Sequence, residues 1–429
     1  DATQHSGRAY GLLEELCDDV GARPSGSVAL EHALAWAERR LKDQGLQNAH
    51  IEPVEVEHWE RGSESLELVE PRMKTLRMLG LGGSVATPKG GITAEVVVVR
   101  SADEAKALGD KAAGKIVLFD VAMPPYDPKT GDTGYGKVVG IRVGAARMAA
   151  AGGAVAALVR SLTATSLGAP HAGAMRYEDA KTRIPAAAIS VEDAELLGRL
   201  AGKGKVTVKL VMQAGLRPNA RSGNVVAQLD GRERPEEIVL ISGHIDSWDV
   251  GQGAQDDGAG VVAAMEALAL LKRLELQPRR SVRAVLWTNE ETNLAGAKQY
   301  AKDHAAELPK HVVGMESDTG GTKVVQLSLE LADKSKLGLA HERLARLTPV
   351  LAQIDTVRVA DGFSGADLEP LRAAGVPGIG VLHDTAHYFD VHHSDADTLD
   401  KVSSAELDQS VAVLALTAYV LADMPETLL

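Results

Sequence analysis

Apolar positions in this chain fall into two textures, and from about residue 224 they alternate regularly. EEIVLISGHID, SVRAVLWTNEE, HVVGMESD and GIGVL are short, nearly continuous apolar runs. Between and after them lie GAGVVAAMEALALLKRL, NLAGAKQYAKDHAAEL, HERLARLTPVLAQI and SAELDQSVAVLALTAYVLADM, with apolar residues at helical spacing. The runs predict strands and the spaced stretches predict helices. Strands without inside–outside alternation are buried on both faces, so the expectation is α/β: a mostly parallel central sheet with helices on both faces.

Upstream the pattern is less regular. Residues 1 to about 50 predict two helices, the second being VALEHALAWAERRLKDQG, separated by the turn-rich GARPSGS. IEPVEVEHWERGSESLELVE alternates partially and predicts extended chain. From about Gly90, AEVVVVR and GKIVLFD predict buried strands. They are followed by the loop PPYDPKTGDTGYG and the small-residue stretches VGAARMAAAGGAVAALVR and IPAAAISVEDAELLGRL. That is a compact α/β unit with no grouping of His, Cys and carboxylates, and it reads as accessory.

Length and composition add little except exclusions. A chain of 429 residues exceeds what one core usually serves. The formal net charge of −13 argues against nucleic acid and against docking on anionic membranes. No uninterrupted apolar stretch reaches the roughly 18 residues of a membrane span. Cys17 is the only cysteine, so no intrachain disulfide forms, and it reads as a small core residue.

Chemistry gathers at the strand ends, where such sheets bind ligands. The first ends in Gly243-His244-Ile245-Asp246, the second in Asn289-Glu290-Glu291 and the third in Glu316-Ser317-Asp318. GIGVL leads to HDTAHYFDVHHSDAD, which carries His392 and His393. The link after the first strand, SWDVGQGAQDDGAG, brings Asp256 and Asp257 to the start of a helix. A mixed imidazole and carboxylate set suits zinc or another borderline divalent ion better than calcium. Two imidazoles and three carboxylates are too many for one tetrahedral ion with an open position; they fit two ions sharing a bridging carboxylate.

In order and spacing, His244-Ile245-Asp246, Asp256-Asp257-Gly258, Glu290-Glu291, Asp318 and His393 resemble the motifs of the co-catalytic di-zinc exopeptidases. That family includes bacterial leucyl aminopeptidases and plasma glutamate carboxypeptidase. SGHIDSWDVGQGAQDDGAG, MESDTGG and HHSDAD are most similar to the latter branch. The resemblance implies the zinc exopeptidase fold, with residues 1–89 and 214–429 forming the catalytic domain and residues 90–213 an inserted α/β protease-associated domain. It implies two zinc ions per chain: His244 and Asp318 on one, Glu291 and His393 on the other, Asp256 bridging. Glu290 becomes the general acid/base and Asp246 accepts the second ring N–H of His244. His392, at a position held by Tyr in some relatives, would assist the oxyanion. Ser364, Asp367 and Trp248 are candidates for touching substrate. The implied partner is a short peptide, cut as an aminopeptidase or as a dipeptidase/carboxypeptidase, with neither nucleic acid nor membrane span; a homodimer is compatible. A periplasmic or secreted location follows if a signal preceded Asp1.

Each residue alone has a duller reading: a surface histidine, a solvated Glu-Glu helix start, an N-cap for Asp257. Their agreement at several strand ends favours the metal site. His5, His50, His58, His171, His304, His311 and His383 match no constellation and default to the surface. GQGAQDDG mimics a nucleotide loop, but its carboxylates would repel phosphate. Two other functions compete: a receptor-like homologue without catalysis, which should lack ligands, and a one-zinc acyltransferase resembling glutaminyl cyclase.

Overall fold

The computed structural model describes residues 6–178 and 180–429. They divide into two compact units, one of residues 6–57, 219–388 and 397–429, the other of the described residues in 58–218 together with 389–396.

The first unit is built on an eight-stranded sheet. Its strands are β1 (His50–Glu60), β2 (Gly215–Leu229), β3 (Arg234–His244), β4 (Arg280–Trp287), β5 (His311–Glu316), β6 (Val324–Glu330), β7 (Arg358–Asp361) and β8 (Gly378–His383). They lie in the order β1-β2-β4-β3-β5-β8-β6-β7. The four central strands, β4, β3, β5 and β8, run parallel. β2 and β6 flank them antiparallel, so the sheet is parallel at its centre and mixed outside.

Two cores explain the continuous apolar runs. Val225, Ala227, Val239, Ile241, Ala284 and Leu286 point into one, and Val226, Ile238, Leu240, Val285 and Trp287 into the other. Neighbours along a strand therefore bury on opposite faces. The first face is covered by α1 (Arg8–Glu15), α2 (Val28–Asp43), α3 (Ala259–Arg273) and α5 (Ser404–Asp423). Ser27 caps α2 by accepting from Leu30 N. The second face is covered in part by α4 (Ala295–Asp303), through Ala297 and Tyr300. Among the described residues α5 alone is long and apolar enough to cross a membrane, but 61% of its apolar window is buried here. Leu407, Val411, Leu414, Ala418 and Leu421 line its buried stripe, as the sequence led us to expect of this stretch.

Some elements differ from the sequence pattern. HERLARLTPVLAQI breaks into Leu337–Ala345 and Thr348–Leu351, with Pro349 in the first turn of the second piece. β2 was not anticipated because its first half, GLRPNARS, is largely exposed and polar.

The second unit holds another eight-stranded sheet with cores on both faces. Residues 58–89, grouped by sequence with the catalytic domain, contribute three of its strands. Glu64–Glu70 pairs antiparallel with Thr207–Met212, far along the chain, and Met78–Gly80 with Ala186–Ile189.

Replacing Leu414, fully buried on α5, with alanine should lower stability by about 2–5 kcal/mol in urea unfolding. Val28→Ala, at a 71% exposed position, should stay within about 0.5 kcal/mol.

Candidate metal centre

Register places the chemistry. His244 is level with Trp287, and Ser242 with Glu316, so the carboxyl ends of β3, β4 and β5 form one rim. Chain leaving that rim carries Asp246, Glu290-Glu291 and Asp318.

His244 sits at the centre, 1% exposed. Its Nδ1 lies 3.0 Å from the backbone oxygen of Asp246. A carbonyl only accepts, so Nδ1 carries the proton and Nε2 faces the rim. There Nε2 meets Asp256 Oδ1 at 3.1 Å and Asp318 Oδ1 at 3.3 Å. These three residues form a group able to hold a metal ion. A bare nitrogen lone pair facing two carboxylates is repulsive unless a cation intervenes. Without one the ring takes a proton: burial disfavours the imidazolium, but Asp318 and the hydrogen bonds to Asp256 and Asp318 outweigh it and raise the pKa well above the usual value.

The orienting role expected of the Asp246 carboxylate falls instead to its backbone carbonyl. The carboxylate is 3.9 Å from Nδ1, and its Oδ1 accepts from Glu290 N at 3.0 Å. Asp246 thus ties the end of β3 to the turn that presents Glu290. That turn is sharp: Asn289 has φ 66°, its Nδ2 donates to Ser25 Oγ at 2.6 Å and its Oδ1 accepts from Ala295 N. Burial, then Asp318, Glu291 and Asp246, push the Glu290 pKa well above the ordinary range against the pull of His244.

Asp257 is a staple as well as a helix cap. Oδ1 accepts from Gly260 N and Oδ2 from His244 N. The close approach explains two glycines. A Cβ on Gly260 would lie 1.9 Å from Ser317 O, and one on Gly243 2.6 Å from Asp257 Oδ2.

The sequence reading missed several supports. Arg23, from GARPSGS, is fully buried. It donates to the backbone oxygens of Ile245, Gln252 and Gly253 at 2.7, 2.8 and 3.0 Å, clamping both ends of the loop that leads to Asp256. Asp397, in the HHSDAD motif, accepts from Gln255 N and Asp256 N, and burial pushes its pKa up to about 7. Tyr388 is buried within electrostatic reach of Asp256, Asp318, Asp397 and Glu291. An arginine between glycines, and the second acid of HHSDAD, were the available signals.

Of the substrate candidates, Ser364 is a correction. It is fully buried, donates to Glu330 Oε2 at 3.0 Å and accepts from Arg372 Nη1 at 2.8 Å, which commits its hydroxyl to an internal network. Asp367 is fully buried beside Glu316, with neither oxygen hydrogen-bonded. Glu316 accepts from Leu368 N, and burial raises its pKa to about 8. Trp248 is 8% exposed. Cys17 is a core residue as expected, its thiol pushed up to about 12 by burial.

His392 and His393 belong to the second unit, on the short segment 389–396. Their rings stack at 3.5 Å. Ala172 N donates to His393 O at 2.7 Å, and His393 Nδ1 lies 3.3 Å from Ala172 O. Three histidines assigned to the surface are buried instead: His171, His311 and His383, each held near pKa 4 chiefly by burial. His5 lies outside the described residues.

A parallel-centred sheet with imidazole and carboxylates converging on its rim is the arrangement of a metal-dependent hydrolase. Comparison with known proteins agrees. Residues 224–418 match Peptidase family M28. Carboxypeptidase Q of Mus musculus is 42% identical over 99% of this chain and 88% of its own. The crystal structure of a peptidase M28 precursor from Shewanella amazonensis SB2B is 36% identical, with a TM-score of 0.93 over 99% of this chain and 95% of its own. A zinc aminopeptidase from Bacillus subtilis shares the fold at 21% identity, TM-score 0.72, covering 98% and 95%. The chain belongs to peptidase family M28 and is a metallo-exopeptidase, a peptide-bond hydrolase.

The raised carboxyl pKa values set a pH dependence for chelator-treated protein. Asp257, Glu290, Glu316, Asp367 and Asp397 hold protons more tightly folded than unfolded. The folded chain binds these extra protons, so their contribution to stability is greatest at low pH, opposed below about 6.5 by His171, His311 and His383, which burial keeps neutral. That contribution falls as pH rises from the unfolded carboxylate range, near ~4, through about 7 and 8. The thermal midpoint with EDTA should drop by roughly 5–10 °C between about pH 5.5 and 8. Added zinc should restore more at the higher pH, where its ligands are deprotonated. A flat profile would mean that these carboxylates are not clustered as described.

Proposed function

We propose that this chain is a zinc-dependent exopeptidase that hydrolyses dipeptides or terminal residues of short peptides. One observation carries the reading: His244, its tautomer fixed by the Asp246 carbonyl, aims Nε2 at Asp256 and Asp318 from 3.1 and 3.3 Å. Nitrogen and carboxylate donors converging in a desolvated rim fit zinc.

His244 and Asp318 would hold one ion, Glu291 and His393 the second, and Asp256 would bridge. When bound, the ions supply a water whose pKa drops from 15.7 toward about 7 and polarise the scissile carbonyl. Glu290 takes the proton from that water and passes it to the leaving amine. Burial disfavours its carboxylate, which strengthens it as the base that takes the proton. Asp246 fixes the Glu290 turn by accepting its N–H. His392, stacked on His393, would donate to the oxyanion. Residues 90–213 belong to the inserted protease-associated domain, and a periplasmic or secreted location goes with the same reading. The name of the mouse relative, carboxypeptidase Q, supports a peptide substrate. A receptor-like role is disfavoured because every proposed ligand is present.

Glu290→Gln should keep its zinc and lose about 10²–10⁴-fold in kcat on unblocked di- and tripeptides, followed by mass spectrometry of products. Turnover persisting in that variant would remove Glu290 as the base. Elemental analysis should find two zinc ions per chain, and one would favour the cyclase-like alternative.

A further inference from the structure

Among the described residues of the second unit, one buried cation forms no ion pair. Arg142, on the helix Val139–Ala151, is 6% exposed. Its guanidinium lies over the Tyr135 ring, 5.5 Å from the centroid, and is packed so closely on Gly173 that a Cβ there would come within 2.3 Å of it. Nη1 makes one long hydrogen bond, 3.4 Å to Ala172 O, and Nε has no partner. Among the described residues no carboxylate forms an ion pair with it. Beside it, His171 is 3% exposed and its Nδ1 also lacks a partner.

Both features are costly. A buried charge is ordinarily paired, and a buried polar nitrogen ordinarily bonded. The surroundings sharpen the point. The carbonyl that Arg142 reaches, Ala172 O, is the one 3.3 Å from His393 Nδ1, and Tyr135 also packs edge-on to His392 at 5.4 Å. If His393 ligates zinc, the guanidinium repels the very cation its neighbour binds. An anion seated on Arg142 supplies the missing counter-charge and offsets that repulsion. An exopeptidase acting on short peptides brings such an anion: the free carboxylate of the substrate's last residue.

We infer that Arg142 receives the terminal α-carboxylate of the peptide, so that the enzyme acts on dipeptides and C-terminal residues bearing a free carboxyl group. This rests on the reading of His393 as a ligand. The guanidinium fork can take both carboxylate oxygens, and packing on Tyr135 and Gly173 holds it ready before substrate arrives.

The test compares a dipeptide with its C-terminal amide on the zinc-loaded, full-length enzyme. The wild type should prefer the acid by about 10²-fold or more in kcat/KM, because the amide leaves the charge unpaired. Arg142→Met should bring the acid down to the level of the amide, mostly through KM, and Arg142→Lys should recover part of the preference. A wild type that cleaves acid and amide equally would overturn the inference, and this holds even if the variants fail to fold. So would an Arg142→Met enzyme that keeps the preference. A free amino acid should bind the metal-free wild type more tightly than its amide in calorimetry, and lose that advantage in Arg142→Met; equal binding of acid and amide would also count against it. If His393→Ala retains the full zinc content, the ligand reading fails instead, whatever the calorimetry gives.

Discussion

The governing constraint in the first unit is negative charge gathered where water is scarce. Asp246, Asp256, Asp257, Glu316, Asp367 and Asp397 are each no more than 5% exposed, and Glu290, Glu291 and Asp318 stand at the same rim. Such a collection repels itself strongly in a medium less polarisable than water. Backbone N–H groups satisfy the supporting members: His244 and Gly260 serve Asp257, Gln255 and Asp256 serve Asp397, and Glu290 serves Asp246. Asp256 and Asp318 instead face the His244 imidazole. The division separates carboxylates that shape the loops from those that face a ring nitrogen.

The sheet makes that gathering affordable to fold. Its parallel centre brings the carboxyl ends of β3, β4 and β5 level, so residues far apart in sequence meet without long loops. Cores on both faces fix the strands, and Arg23 fixes the connection from Ile245 to Gly253 through backbone oxygens. Hydrogen bonds from a charged donor are worth about 1.5–3 kcal/mol each. They make Arg23 a rivet rather than a turn residue.

Legibility in the sequence followed the range of the interaction. The strands of the parallel centre showed because burial on both faces writes a local apolar run. His244, Asp256, Glu290 and Asp318 showed because each sits at the end of such a run or just beyond it. What stayed hidden depends on partners far along the chain. Nothing near Arg23 announces Gln252, and nothing near Glu64 announces its strand partner Met212. Ser364 was a candidate because its segment, GFSGADLEPL, precedes the last strand; only Glu330 and Arg372 reveal that its hydroxyl is already used. Asp246 was placed near the right neighbour but through the wrong atom, since sequence does not distinguish a side-chain acceptor from a backbone one.

The inserted unit looked accessory for the same reason. Its own sequence holds no cluster of ligands, yet the chain returns to it late, for residues 389–396, and that return carries His392 and His393. A side chain meant to meet a metal must be held to within about half an ångström. A short excursion gains such precision only from what grips it. Here the grip is the Ala172 backbone, whose N–H holds the His393 carbonyl while its own carbonyl lies beside the His393 ring. Arg142 reaches that same carbonyl, so the group that orients the histidine and the one proposed to read the substrate share one support. On that proposal the unit would contribute to recognition as well as to shape, although no motif within residues 90–213 shows it.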